Sequence, residues 1–289
     1  MPELPEVEVV RQGLDRFVSG RRIERVEVFG ARAVRRHPAG AVDFVAQLGG
    51  VQLLAAQRRG KFLWLPLADS DSALVAHLGM SGQLVLPAPG SEPERHLRVM
   101  IHFADGGRPL RFVDQRTFGW LAVEPLVAGV AGREVPMSVA RIAADAFEPT
   151  FDPVATSRRI RRSRSTVKAV LLDQQVVSGI GNIYADEALW RSRRHWATPA
   201  NRLRHSEVLG LLENAATVMA EALSVGGTSF DSLYVDVNGT SGYFERSLDA
   251  YGRAGRPCRR CGSTIRRESF GNRSSFRCPR CQRRPRGVG

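Results

Sequence analysis

The chain has 289 residues, 43% of them hydrophobic, and a formal net charge of +13 with a pI near 10.9. That length allows a sizeable core and suggests two domains, while no stretch approaches the roughly 18 apolar residues of a membrane span. The start, Met1-Pro2-Glu3-Leu4-Pro5-Glu6, is acidic and lacks the basic segment of a signal peptide, so a soluble cytoplasmic protein with no membrane partner is expected, its basic surplus suited to a polyanion.

Leu4, Val7, Val10, Leu14 and Phe17 recur every three or four residues, which predicts one amphipathic helix over 4–18. Pro5 suits its first turn, and Glu3 and Glu6 stand at the positive end of its dipole. Short apolar or alternating runs follow at 23–29, 51–57, 62–67, 73–78, 83–86, 97–103 and 109–113, with Gly, Pro and Asp turns between them. Strands this short and this frequent predict an antiparallel sandwich. Pro136, Pro149 and Pro153 mark a linker, beyond which the period turns helical over 153–162, 165–177, 183–194 and 205–224. Ser178-Gly179-Ile180-Gly181 joins two of these helices as a helix–turn–helix element, with Asn182 placed as N-cap of the second. A Gly- and Ser-rich loop over 226–242 leads into a terminal module. The expected class is α+β and multidomain: a β-sandwich with flanking helices over 1–130, a linker over 131–152, a helical domain with its loop over 153–245, and a small cysteine-bearing module over 246–289.

All four cysteines fall in that last module, as Cys258-x-x-Cys261 and Cys278-x-x-Cys281 with sixteen residues between the pairs. Two such knuckles, linked by a hairpin, can wrap one tetrahedral zinc ion; two disulfides are the competing reading, disfavoured in a reducing compartment. From Tyr251 to Gly289 the module carries twelve arginines against one acid, Glu268. A field of that strength draws a nucleic-acid backbone. The rest of the basic usage is equally lopsided: Lys61 and Lys168 are the only lysines among 42 basic residues. Lysine, unlike arginine, gives up its proton readily, so either could do work that arginine cannot. For Lys168 the residues alone leave phosphate contact and a solvated helix face equally open.

Removal of Met1 would expose the secondary amine of Pro2, and an α-amino group with a pKa of about 7.7–8.0 is partly unprotonated near neutrality. Such an amine can attack a sugar aldehyde carbon to form an iminium, and the neighbouring Glu3 can act as general acid on the ring oxygen. Taken alone, Met-Pro starts and first-turn glutamates are common, and the ordinary reading is a plain helix start.

Five motifs in order narrow the choice: Pro2-Glu3-Leu4-Pro5-Glu6-Val7-Glu8, His77-Leu78-Gly79-Met80-Ser81-Gly82, Asp114-Gln115-Arg116-Thr117-Phe118-Gly119, Gly179-Ile180-Gly181-Asn182-Ile183-Tyr184-Ala185, and the cysteine pairs. Together, from Pro2 to Gln282, the chain resembles the bacterial formamidopyrimidine-DNA glycosylases, the 8-oxoguanine branch of the family that also holds endonuclease VIII. The resemblance implies a β-sandwich, a helix–two-turn–helix domain and a zinc finger, with damaged double-stranded DNA as partner, one structural zinc ion, no small-molecule cofactor, and a monomer working on the bacterial nucleoid.

By the same resemblance Pro2 displaces the damaged base at C1′, Glu3 protonates the ring oxygen, and Lys61 and Arg273 serve the β- and δ-eliminations that follow. The damaged nucleotide must be flipped out of the duplex, and Met80, Arg116 and Phe118 match the wedge that fills the gap. From the residues alone Met80 and Phe118 read as core. Asn182, at a glycine-flanked helix start, suits a phosphate, and His96 and Arg164 match backbone contacts, though the arginine-rich run 161–164 allows a slip of one position. Residues 226–241 match the loop that covers the flipped base. The rival readings are an endonuclease VIII-like enzyme for oxidised pyrimidines and a zinc-ribbon DNA-binding protein without chemistry.

Overall fold

In the computed structural model the residues described are 2–129, 132–227, 237–238 and 247–285. The chain divides into two units, one formed by Met1–Arg141 with Leu223–Tyr243, the other by Ile142–Ala222 with Phe244–Gly289.

The first unit begins with helix α1, Leu4–Phe17, where the spacing of its apolar residues placed it. Among the described residues nine strands follow: β1 (Ile23–Val28), β2 (Gln57–Arg59), β3 (Phe62–Pro66), β4 (Ser72–His77), β5 (Gly82–Val85), β6 (Leu97–Phe103), β7 (Leu110–Asp114), β8 (Trp120–Ala128) and β9 (Glu134–Pro136). They form two antiparallel sheets, ordered β1-β6-β7-β5 and β2-β3-β4-β8-β9. Inward residues of both sheets (Leu63, Leu65, Leu74, Ala76 and Leu121 against Val26, Val99, Ile101 and Phe112) share one core with Val7, Val10 and Leu14 of α1. Each such aliphatic side chain contributes about 1.5–3 kcal/mol on burial, so the antiparallel sandwich is held by the period-2 pattern that announced it.

Three features depart from expectation. The segment 51–57 is not one strand: Gln52 and Leu53 make isolated bridges, and regular pairing begins only at β2. A helix, α2 (Gly40–Leu48), burying Phe44 and Leu48, and strands β8 and β9 were not anticipated. Strand β8 carries Pro125 near its end, which interrupts the strand signal; pairing with β4 on one side and β9 on the other builds it nonetheless.

The second unit is helical up to its finger: α3 (Pro153–Arg161), α4 (Val167–Leu171), α5 (Asn182–Arg191) and the start of α6 (His205–Ser224). Asp152 caps α3 by accepting the Val154 and Ala155 amides. The helix expected over 165–177 is only the five residues of α4, because residues 173–181 turn twice instead of continuing. Gln174 closes those turns, donating from Nε2 to the Leu172 and Ile180 carbonyls and accepting the Gly179 amide, while Gly179 takes φ +87°. The N-cap of α5 is Gly181, not Asn182, which occupies the first helical position. The finger closes the unit with the hairpin β10 (Arg266–Phe270) and β11 (Arg273–Arg277). No helix among the described residues is long and apolar enough to cross a membrane.

Candidate active site and nucleic-acid interface

In the first unit Pro2 is buried and Glu3, the N-cap of α1, is 2% exposed with an extended backbone. The Glu6 carboxylate reaches back one turn and accepts the Glu3 amide at 2.8 Å, an arrangement that fixes the chain entry into the helix. One turn on, Glu8 accepts from Arg58 at 2.8 Å and from Arg11 at 2.9 Å. Burial works against the Glu8 charge, but the two guanidinium groups hold its carboxyl below its ordinary value. Arg58 in turn donates to the Gly60 carbonyl, so α1 is tied to the two-residue turn Gly60-Lys61 between β2 and β3. Gly60 has φ +55°, a conformation that suits glycine, and Lys61 beside it is 7% exposed.

A second arrangement in this unit surrounds Asp114. Its Oδ1 accepts the Ser81 hydroxyl and the Arg116 amide, its Oδ2 the Gly119 amide, and its own amide donates to the carbonyl of His96. Arg35 adds bonds to the Phe118 and Gly119 carbonyls at 2.8 and 2.7 Å. One buried carboxylate thus fastens the 78–81 turn to the 115–119 turn. A Cβ at Gly79, φ +61°, would lie 2.5 Å from the Phe118 backbone, so glycine is required for the two turns to touch. On this base Met80 is 36% and Phe118 49% exposed, and Arg116 is exposed as well. The core reading of Met80 and Phe118 therefore fails: both leave the interior. Asp114 was part of a quoted motif, but its role as clasp depends on partners up to 33 residues away.

In the second unit Arg273 opens β11 beyond the turn Gly271-Asn272 and is exposed, as is Arg164 in the turn between α3 and α4. Lys168 meets neither of its sequence readings. It is 0% exposed, 2.7 Å from the Asp186 carboxylate, which is 1% exposed. Asp186 also accepts the Ser275 hydroxyl at 2.7 Å and the Phe276 amide at 2.8 Å. Lys168 lies 5.0 Å from the Phe270 ring centre and 3.4 Å from the Ser274 carbonyl. The lysine is consumed in docking the hairpin onto α5. Asn182 shares that task, donating to Ser274 O at 2.9 Å, while its Oδ1 is buried with no hydrogen-bond partner among the described residues. Glu187, also on α5, accepts the amides of Asp249, Ala250 and Tyr251; burial pushes its carboxyl up to about 7 against those three donors.

The four cysteine sulfurs lie within 4.8 Å of one another, and none is in a disulfide. With Zn–S bonds of about 2.3 Å, a tetrahedral four-thiolate site has S···S edges of about 3.8 Å, so the cluster fits a zinc ion. Trp190 of α5 donates to Cys258 at 3.4 Å, and Arg260 lies 4.0 Å from the Trp190 ring centre. The Cys261 thiol is pulled down to about 6 by the Ser263 amide and hydroxyl, while burial and the neighbouring cysteine sulfurs push Cys281 up to about 12, so four thiolates stand together only with a cation between them.

Three family models cover most of the chain: the formamidopyrimidine-DNA glycosylase N-terminal domain over residues 1–121, its H2TH domain over 142–233, and the zinc finger found in FPG and IleRS over 255–284. Full-length relatives agree. A formamidopyrimidine-DNA glycosylase of Salinispora arenicola is 58% identical over 99% of this chain and 98% of its own length, and one of Thermobifida fusca is 55% identical over 99% of each. The chain belongs to the formamidopyrimidine-DNA glycosylase family.

Among solved structures, a mutant Lactococcus lactis FPG in complex with Fapy-dG-containing DNA aligns with TM-score 0.85 at 29% identity, covering 98% of this chain and 100% of that one. MutM in complex with DNA containing carbocyclic 8-oxo-G aligns at TM-score 0.84 with the same identity and coverage. The fold is that of the family: an N-terminal β-sandwich, a helix–two-turn–helix domain and a C-terminal zinc finger. The finger's four cysteines hold one structural zinc ion. Of the expected site residues, Pro2, Glu3, Lys61, Met80, His96, Arg116 and Phe118 lie in the first unit, and Arg164, Asn182, Arg273 and the cysteines in the second.

Proposed function

We propose that this DNA glycosylase of base-excision repair works through the amine of Pro2, once Met1 has been removed. The protein binds DNA and excises damaged bases as its family does. The secondary amine attacks C1′ of the damaged nucleotide, and the base departs with the electrons of the glycosidic bond. Glu3 protonates the ring oxygen, the sugar opens, and an iminium joins Pro2 to C1′. Loss of a C2′ proton then expels the 3′-phosphate, with Lys61 assisting, and a second elimination served by Arg273 expels the 5′-phosphate. Met80, Arg116 and Phe118 fill the space the flipped nucleotide leaves, and His96, Arg164 and Asn182 contact the strand's phosphates.

The observation that carries this reading is the chain entry. Pro2 and Glu3 adjoin at the N-terminus of α1, where Glu6 fixes the Glu3 backbone and the Glu8–Arg58 pair links the helix to the turn bearing Lys61. Met80 and Phe118, two large apolar side chains left exposed on turns fastened by Asp114, suit a wedge between base steps. The reading includes oxidised purines in double-stranded DNA as substrate, zinc as the only metal, and a monomer acting on nucleoid DNA in the cytoplasm, where free thiols persist.

Borohydride trapping of the untagged protein on an 8-oxoguanine·C duplex, followed by peptide mapping, tests it. An adduct at Pro2 is expected. A cross-link mapped elsewhere would remove Pro2 from the mechanism, and trapping on thymine glycol but not on 8-oxoguanine would move the substrate to oxidised pyrimidines.

A further inference from the structure

The two strands of the finger hairpin close on a two-residue turn, Gly271-Asn272, with Gly271 at φ +55°. Phe270 and Arg273 flank that turn, directly opposite each other in the register. In an antiparallel pair, opposite side chains stand on one face with Cβ atoms about 4.5–5.5 Å apart. Period-2 alternation adds Glu268, Ser275 and Arg277 to the same face. The excision chemistry gives Arg273 a task and leaves Phe270 without one.

That face is docked on the helical part of its own unit. Asp186 accepts the Ser275 hydroxyl, and Glu268 accepts the Trp196 indole N–H at 2.8 Å and a further bond from Arg277. Phe270 enters between these two anchors. Its ring meets Trp196 edge-on, with centres 5.5 Å apart and planes at 76°, and the Lys168 ammonium lies 5.0 Å from its centre. Lys168 is itself fixed by Asp186 at 2.7 Å. On β11 the neighbour of Arg273 is tied as well, since the Ser274 carbonyl accepts from Asn182 at 2.9 Å. Arg273 is exposed, so its side chain leaves a seated backbone and reaches solvent.

An arginine stays protonated and cannot take the proton of an elimination; what it can supply is a cation at the departing phosphate. In the second elimination the C4′ proton passes to water and its electron pair enters the conjugated iminium. C5′–O then breaks, with the phosphate taking the bonding pair. Stabilising charge on a leaving group depends steeply on where the cation stands, whereas the earlier steps at C1′ and C2′ do not call on Arg273. We propose that Phe270 is a positioning residue for Arg273: its ring, seated between Trp196 and Lys168, sets where the guanidinium stands when the 5′-phosphate departs. The proposal rests on the assignment of the second elimination to Arg273.

The test uses the untagged, zinc-loaded protein on a duplex whose 8-oxoguanine strand carries a 5′ label. Denaturing gels separate the strand left by the first elimination, which ends in an unsaturated aldehyde, from the strand left by both, which ends in a 3′-phosphate. Phe270→Ala is expected to slow the second elimination about tenfold and to leave base excision and borohydride trapping at the parent level. Phe270→Tyr, which keeps the ring, should restore the parent ratio of products. Trp196→Leu should slow the same step, and Phe270→Ala/Trp196→Leu should be no slower than the worse single change, because both remove one seat. A finger loosened as a whole would instead lower zinc content, lesion affinity and base excision together. Should Phe270→Ala lose its zinc, Phe270→Leu, which keeps apolar volume without the ring contacts, is read by the same ratio. The proposal is overturned if that ratio is unchanged in Phe270→Ala and Phe270→Leu, or if base excision falls in the same proportion as the second elimination. Arg273→Ala reads the assignment beneath it. If that variant still yields the 3′-phosphate strand, Arg273 does not serve the second elimination; if it stops at the aldehyde while Phe270→Ala does not, only the positioning by Phe270 fails.

Discussion

Replacing Lys168 by Met removes the cation from a buried pair and leaves the Asp186 carboxylate, 1% exposed, without a countercharge. Stranding one member of a buried ion pair costs about 3–5 kcal/mol. Asp186→Asn alone takes the countercharge from the buried ammonium, which keeps the Phe270 ring at 5.0 Å and the Ser274 carbonyl at 3.4 Å among its neighbours, and should cost a similar amount. The double variant behaves differently. The amide oxygen of Asn can still accept the Phe276 amide, its NH2 can donate to the rotatable Ser275 hydroxyl, and no charge remains. Lys168→Met/Asp186→Asn should therefore lie within about 1–2 kcal/mol of the parent, a coupling of several kcal/mol. Native-state hydrogen exchange of the β10–β11 amides in the zinc-loaded protein reads the opening free energy of the hairpin directly. If either single change costs less than about 1 kcal/mol, or if the double change costs the sum of both, the buried charge is not what holds the hairpin to α5.

Other perturbations separate further parts of the structure. A Cβ at Gly13 would lie 2.4 Å from Val237 Cγ2, so Gly13→Ala should cost about 1–2 kcal/mol net, overpacking offset by helix propensity; calorimetry should show recovery in Gly13→Ala/Val237→Ala, and a stabilised single variant would contradict the contact. His77, lowered from 6.5 to about 4, contributes stability that is fully present above pH 6.5 and lost as pH falls through 4. Allowing for partial exposure, that amounts to about 2 kcal/mol. The stability difference between pH 7 and pH 4 should shrink by that amount in His77→Gln, and an unchanged difference would remove His77 as its source. Chelation of zinc should unfold the finger and abolish tight binding of lesion-containing duplex, because metal affinity there is folding energy; circular dichroism and DNA affinity unchanged after metal removal would refute the four-cysteine zinc assignment. An N-terminal extension that blocks the Pro2 amine should stop excision while leaving affinity for lesion-containing DNA within a few-fold, and normal turnover by such a protein would exclude Pro2 as nucleophile.

Local pattern settled what depends on neighbours in the chain. The amphipathic period of α1, the proline and acids of its first turn, the alternation of the sandwich strands and the spacing of the two CxxC knuckles all act over a few residues. Sequence therefore determined the fold class, the zinc site and the adjacency of Pro2 and Glu3. Tertiary structure decided the roles of groups whose partners lie far along the chain. Lys168 looked like a phosphate contact or a solvated cation because nothing within its own helix shows that Asp186 and a carbonyl 106 residues away enclose it. Asp114 became a clasp only when the sheets brought Ser81 and the 115–119 turn to one carboxylate. Met80 and Phe118 carry the composition of core residues, yet the left-handed turn at Gly79 and the Asp114 bonds turn them outward. A side chain's hydrophobicity is written in the sequence; which way it faces is set by the backbone on which it stands.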